Sequence, residues 1–284
     1  MTLTRRSFLK STAAAGLVLP GRWSTQNATS PNAASVRLIR NATCVIHYGG
    51  KTFLLDPYLS DAGASPAIAN TPIPRPNPLV PLPITAADIV RGIDATLVTH
   101  THNDHWDAPA RNLLPKAGPL FVQPPDSARI TQAGFTDVRP IDASLTWEGL
   151  TITRTGAQHG TGATGQRMGP VSGYVLSRPG SPVIYIAGDS VWCPEVAAAI
   201  ERHKPNVIFV NAGAAQFLEG GPITMDVDDV VKVCQAAPQA TVVAMHMEAV
   251  NHCVLTRDAL RTGLGRSAIT SVRIPRDGEI ISLI

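Results

Sequence analysis

Six consecutive residues, His100-Thr101-His102-Asn103-Asp104-His105, place three imidazoles and a carboxylate directly after the apolar run 95–99. Successive side chains of a β-strand leave opposite faces, so His100 and His102 project to the same side. Asp104 and His105 follow where the chain leaves the strand and can curl back towards that space. Neutral imidazoles are ligands for zinc, manganese or iron, and a carboxylate adds a hard anionic donor. Crowding four such groups is costly unless they share a cation. A solvated polar loop is the bland alternative, but it has no use for three His at this spacing. The stretch is a candidate metal site, and it requires a sheet whose strand ends meet at one place.

The pattern His-x-His-x-Asp-His after an apolar strand resembles the metallo-β-lactamase superfamily of hydrolases. The resemblance implies an α/β fold, a four-layer αββα sandwich, and it requires a third His, a bridging Asp and a last His, each at a strand end. The chain has a candidate for each. An alternating run over 147–155 reads as one long strand and leads through Gly156-Ala157-Gln158 to His159. Strand 183–187 ends in Gly188-Asp189, and the apolar strand 241–245 ends at His246. Between and around these lie strands 35–40, 43–47, 51–55, 120–123, 138–141, 171–177, 207–210, 271–274 and 279–283. Helices are expected from Thr85, over 107–114, 126–133, 194–203 and 228–236, and from Thr256 to 264. Gly49-Gly50 between two short strands is a hairpin signal. No repeat or break in composition marks a second domain, so residues 35–284 read as one.

The first thirty residues read differently. Arg5-Arg6-Ser7-Phe8-Leu9-Lys10 followed by an apolar stretch of small residues, 13–19, looks like a twin-arginine export signal. Periplasmic localisation is the expectation that follows. This segment holds Arg5, Arg6, Lys10 and Arg22 and no acid, so taking four cations from a net charge of +3 leaves −1. The basic balance belongs to the signal, and a nucleic-acid partner is not expected. No apolar run approaches the ~20 residues that cross a bilayer, so no stable membrane insertion is expected after export. A small-molecule substrate is the expected partner, and a homo-oligomer is compatible with the chain. The four Cys, at 44, 193, 234 and 253, form no CxxC pair and read as small buried apolar residues, with Cys253 beside His252 as a lesser metal-ligand candidate.

Seven prolines between 66 and 83 exclude helix and central strand there, leaving a flap over the site or a linker. Asp56, at the end of strand 51–55, is either a turn residue or a carboxylate that receives the far N–H of a metal-bound His and fixes its tautomer. Glycines between 160 and 173 suggest a pliable loop near substrate, within which Arg167 could meet an anion; Arg75 in the Pro-rich segment is a second candidate.

Carried onto this chain, the superfamily arrangement assigns one metal to His100, His102 and His159 and another to Asp104, His105 and His246, with Asp189 between them. It implies two divalent ions, zinc first and manganese or iron as alternatives. They share a hydroxide formed because the pKa of bound water falls from about 15.7 towards about 7. Asp104 would also orient that nucleophile. The stretches Asn41-Ala42-Thr43-Cys44-Val45-Ile46, Asp56-Pro57 and 247–253 are similar to the branch containing ascorbate-phosphate lactonase and phospholipase-D-like hydrolases. Its implied reaction is cleavage of an ester, lactone or phosphodiester. His252 as a catalytic residue and Asn251 as a substrate contact follow if the turn after His246 folds over the ions; a surface turn is the alternative. Competing readings are a periplasmic β-lactamase, a diiron redox protein and a non-catalytic metal-binding protein of the same fold.

Overall fold

A computed structural model describes residues 34–283. The expected export signal, residues 1–30, lies outside the described residues. The chain begins as a meander: β1 (Ser35–Arg40), β2 (Thr43–Tyr48) and β3 (Lys51–Leu55) pair antiparallel. Gly49 and Gly50, both at positive φ, make the tight turn that returns β2 into β3. The chain then adds β4 (Ala95–Val98), β5 (Leu120–Val122) and β6 (Val138–Pro140) parallel to β3. A second sheet is built from β7 (Ser144–Trp147), β8 (Leu150–Gly156) and β9 (Ser172–Ser177), antiparallel to one another. It continues through β10 (Ile184–Ile186), β11 (Val207–Asn211), β12 (Thr241–Met245) and β13 (Val272–Arg273), which run parallel. The last strand, β14 (Ile280–Ser282), returns to the first sheet beside β1. Among the described residues the sheets have seven strands each, ordered β14-β1-β2-β3-β4-β5-β6 and β13-β12-β11-β10-β9-β8-β7.

Strand alternation makes the layers. Phe53, Leu55, Leu97 and Phe121 of the first sheet meet Ile152, Ile184, Ile186 and Phe209 of the second in the central core. The intervening residues face outwards. Leu54 and Val98 pack against α1 (Ala86–Ile89), α2 (Ala108–Leu113) and α3 (Ser127–Gln132). Tyr185, Ile208 and Val210 pack against α5 (Pro194–His203), α6 (Val227–Ala236) and α7 (Arg257–Arg266), while α4 (Gly162–Met168) lies beside the site. Both sheets are therefore covered on their outer faces, which is why their parallel strands are continuous apolar runs. This is the four-layer αββα sandwich. No helix among the described residues is long and apolar enough to cross a membrane.

Two expectations need correction. The run 147–155 is not one strand but the turn and second arm of a hairpin, because Glu148 and Gly149 both take positive φ and fold β7 onto β8. The Gly-rich stretch 160–173 is not all loop, since Gly162–Met168 forms the helix α4. The Pro-rich segment is built as a flap. Arg40, fully buried, donates to the carbonyls of Tyr58, Ser60 and Val80, each at 2.9 Å, and Leu79 N donates to Ala249 O.

Candidate metal centre

The strands β3, β4, β8, β10, β11 and β12 all deliver their carboxyl ends to one edge of the sandwich. That edge receives Asp56, the His100–His105 stretch, His159, Asp189, Asn211 and His246. Two glycines allow the close approach. A Cβ on Gly188 would meet Ser172 O at 2.7 Å, and one on Gly213 would meet His246 O at 2.2 Å. Asp56 and His246 take left-handed φ of 42° and 63°, a costly conformation for non-glycine residues. His246 is held there by its N–H, which donates to Asn41 O at 2.9 Å.

Seven predicted ligands meet, in two groups. His100, His102 and His159 form one; Asp104, His105, Asp189 and His246 form the other, with donor atoms within 4.8 Å of each other in each group. His100 Nε2 lies 2.9 Å from His102 Nδ1, and His105 Nε2 lies 3.2 Å from both His246 Nε2 and Asp189 Oδ2. Asp189 Oδ2 is also 3.4 Å from His159 Nε2, so this carboxylate touches both groups.

The far ring atoms decide what faces the centre. His159 Nδ1 lies 2.8 Å from Ile223 O, which only accepts, so Nδ1 carries the proton and Nε2 is a bare lone pair in the neutral ring. His105 Nδ1 lies 2.9 Å from Asp56 Oδ2, which fixes the same tautomer. Asp56 is itself held by Thr99 N and Thr99 Oγ1, both at 2.7 Å, and Thr99 Oγ1 is 3.1 Å from His100 Nδ1. His246 Nδ1 meets Cys253 Sγ at 3.3 Å. Cys253 therefore backs the ring from the side away from the donors and is not in either ligand group. All four Cys are free and buried, with Cys193 near Ser190.

Bare nitrogens aimed at one another repel unless something positive lies between them. The separations are close to the edge of a tetrahedral zinc site, about 3.3 Å for bonds of about 2.0–2.1 Å. Asp104 Oδ2 is buried 3.3 Å from His246 Nε2 and, among the described residues, accepts no hydrogen bond of good geometry, which suits an oxygen that would ligate a cation. Without a cation, protons must serve. Burial opposes charge on His105, yet Asp189, Asp104 and Asp56 outweigh it and push the ring up to about 10. Burial likewise opposes charge on Asp104 and Asp189, but the surrounding imidazoles, His105 first, hold both well below the usual carboxylate range. His100 and His159 are lowered by burial. The residues fit divalent metal.

Above the donors lies a cavity of about 760 Å³. His252 lines it with Nδ1 buried and unpartnered; burial lowers the ring to about 4, so it is neutral at neutral pH. Asn251 does not face substrate. Its Oδ1 accepts from Ile68 N and Asn77 Nδ2, and its Nδ2 donates to Thr71 Oγ1 and Ile73 O, tying down the flap. Arg167 and Arg75 are also corrected. Both are exposed and absent from the cavity wall, because α4 turns Met168 towards it and leaves Arg167 at Thr164. A cation on the wall is Arg111, whose guanidinium donates to Trp106 O at 3.2 Å.

Asn211 and Asn41, neither expected as a site residue from the sequence, also support the donors. Asn211 Nδ2 donates to Asp189 Oδ1, and Asn41 Nδ2 to Asp104 O at 3.0 Å. A polar residue ending the apolar strand β11 was the available signal for Asn211.

Residues 51–247 match the family model described as the beta-lactamase superfamily domain. The UPF0173 protein YddR of Bacillus subtilis is 38% identical over 250 residues, covering 86% of this chain and 98% of its own. A possible metal-dependent hydrolase from Veillonella parvula is 37% identical with a TM-score of 0.85, covering 88% of this chain and all of that one (100%). The isothiocyanate hydrolase from Delia radicum gut bacteria is 37% identical with a TM-score of 0.83, covering 87% and 99%. With the donors, the fold and these relatives in agreement, the chain belongs to the beta-lactamase superfamily and is a metal-dependent hydrolase.

Proposed function

We propose that the protein is a dinuclear hydrolase that cleaves a small ester, lactone or phosphodiester by attack of an activated water. The observation that carries this reading is Asp189 Oδ2, which lies within 3.4 Å of a donor from each candidate group, so one carboxylate would serve both cations. Bound there, divalent ions supply a nucleophilic water at neutral pH and Lewis acidity for the developing charge. The chain supplies orientation. Asp104, a member of one donor group that also lines the cavity, would accept a hydrogen bond from the attacking water. Neutral His252 offers a ring N–H to the oxygen or nitrogen that gains charge. The flap, fastened by Asn251 and Arg40, restricts water around the reacting centre.

A second reading is favoured by the 37% identical isothiocyanate hydrolase. In it, water adds to the central carbon of R–N=C=S and the C–N bond breaks, releasing an amine and carbonyl sulfide. The same donors serve either reaction, and Asp104 and His252 keep their roles. Action in the periplasm is inferred from Arg5-Arg6 and the apolar segment behind them.

The test is elemental analysis of the purified protein joined to an assay of lactones, phosphodiesters, isothiocyanates and a β-lactam. Two equivalents of metal, with turnover abolished by chelator and restored by zinc or manganese, are expected. One equivalent at full activity removes the dinuclear reading, and β-lactam turnover alone replaces the proposed substrates.

A further inference from the structure

The cavity over the donors has two unlike walls. One is polar: it carries Arg111 and Asn103, and two of its other side chains are committed within the protein. Asp107 accepts from Leu59 N, Ser60 N, Ser60 Oγ and Ala110 N, and Asn77 is paired at both ends with Asn251. The other wall is hydrocarbon. Ile68 comes from the flap, Met168 from α4, Phe217 and Ile223 from the segment after β11, and Val250 from the turn after His246. Four separate segments thus contribute to one apolar surface.

The surface is built rather than incidental. Gly160, at φ +93°, lets Ile223 close to the distance at which a Cβ would sit 2.8 Å from its side chain. Gly220 lets Thr164 of α4 approach equally closely, at 2.7 Å, which brings the segment carrying Phe217 against the helix carrying Met168. Leu218 N donates to Asn70 O at 2.7 Å and joins the same segment to the flap. Ile68, Met168 and Phe217 nevertheless remain only half-buried, so apolar area is left open inside the cavity, beside His159 and His252. Apolar surface held open next to a reacting centre is stabilised when a ligand covers it.

We propose that this wall seats an uncharged aryl or alkyl substituent of the substrate, so that the enzyme selects molecules with an apolar tail and an electrophilic head. The proposal rests on the hydrolase reading for which group is the head, but the seat for the tail is a property of the wall alone. Phe217 and Met168 are its specificity-determining residues, and they take no part in bond cleavage.

Binding of N-phenyl-1-naphthylamine, an uncharged apolar fluorophore, tests it in the metal-loaded full chain. One saturable site per chain is expected, with fluorescence enhanced on binding. Phe217→Ala and Met168→Gln should each weaken it at least tenfold, whereas Ile280→Ala, at an exposed apolar side chain on β14, should leave it within twofold. Asp104→Asn should bind the probe within threefold of the parent while losing turnover, so failure of the hydrolase reading and failure of the tail seat give different results. Met168 is half-buried on a surface helix, which keeps the test available if Phe217→Ala does not fold. Absence of saturable binding, or unchanged affinity in the folded Met168 variant, overturns the proposal.

Discussion

Asn211 Nδ2 donates to Asp189 Oδ1 across 2.5 Å, and both side chains are buried. The bond leaves Asp189 Oδ2 to face His105 and His159. An amide that orients a shared carboxylate acts on metal affinity, not on the reacting molecule. Asn211→Ala should lower affinity by about tenfold to hundredfold, the range for such supporting groups. Competition with a chromophoric chelator reads this, and an unchanged dissociation constant would show that packing alone orients Asp189.

On the proposed mechanism Asp104 has two duties, as a donor to the centre and as an acceptor for the attacking water. Asp104→Asn keeps the volume and removes the charge. The expected loss in kcat is at least about a thousandfold, by analogy with removal of other general-acid-base and electrostatic groups. Circular dichroism should be unchanged. Near-normal kcat would take Asp104 out of the mechanism.

Asn251 bridges the turn after His246 to four residues of the flap. Asn251→Ala leaves several buried polar groups without partners, and a loss of roughly 2–4 kcal/mol is expected. Urea unfolding measures it. Limited proteolysis should find new cuts between residues 66 and 76; a variant as stable and as resistant as the parent would show that the flap is held elsewhere.

The metal-free protein should be most stable near pH 6.5. His105 is raised in the folded state to about 10, so its contribution is whole below its unfolded value and disappears as pH rises through about 10. His252 is lowered to about 4, so folding is penalised as pH falls below about 6.5 and the unfolded ring takes up a proton first. Zinc replaces the protons between the donors, and the alkaline decline should vanish when it binds. Thermal melts from pH 5 to 10, with and without zinc, check both limbs. A metal-free protein that gains stability above pH 8 would contradict the assignment of charge to His105.

Lys replacement of both Arg5 and Arg6 should hold the protein in the cytoplasm. Fractionation of cells carrying the parent and variant chains reads the outcome. Equal periplasmic yields would remove the export signal.

Much of the candidate donor set was legible because several of its members end runs of apolar residues, and the fold brings those ends together. His100, Asp189 and His246 all carry this mark. Asn251 carries the opposite lesson: an amide next to His252 resembles a substrate contact until the chain positions of its partners, 68 to 77, are known. Arg111 was invisible for a similar reason. Nothing local distinguishes it from Arg167, and only the fold, which sets α2 and the flap around one cavity, brings it there. The hairpin at Glu148-Gly149 was missed because its two turn residues fall inside an alternating pattern, where period outweighed turn chemistry.

The candidate metal donors lie at or just beyond the ends of sheet strands, whereas the hydrocarbon wall is assembled from the flap, α4 and two connecting segments. Reactivity and appetite are thus inherited on separate parts of the chain. Insertions and exchanges in the connecting segments can redirect the enzyme to a new compound while the chemistry that breaks it is passed on unaltered.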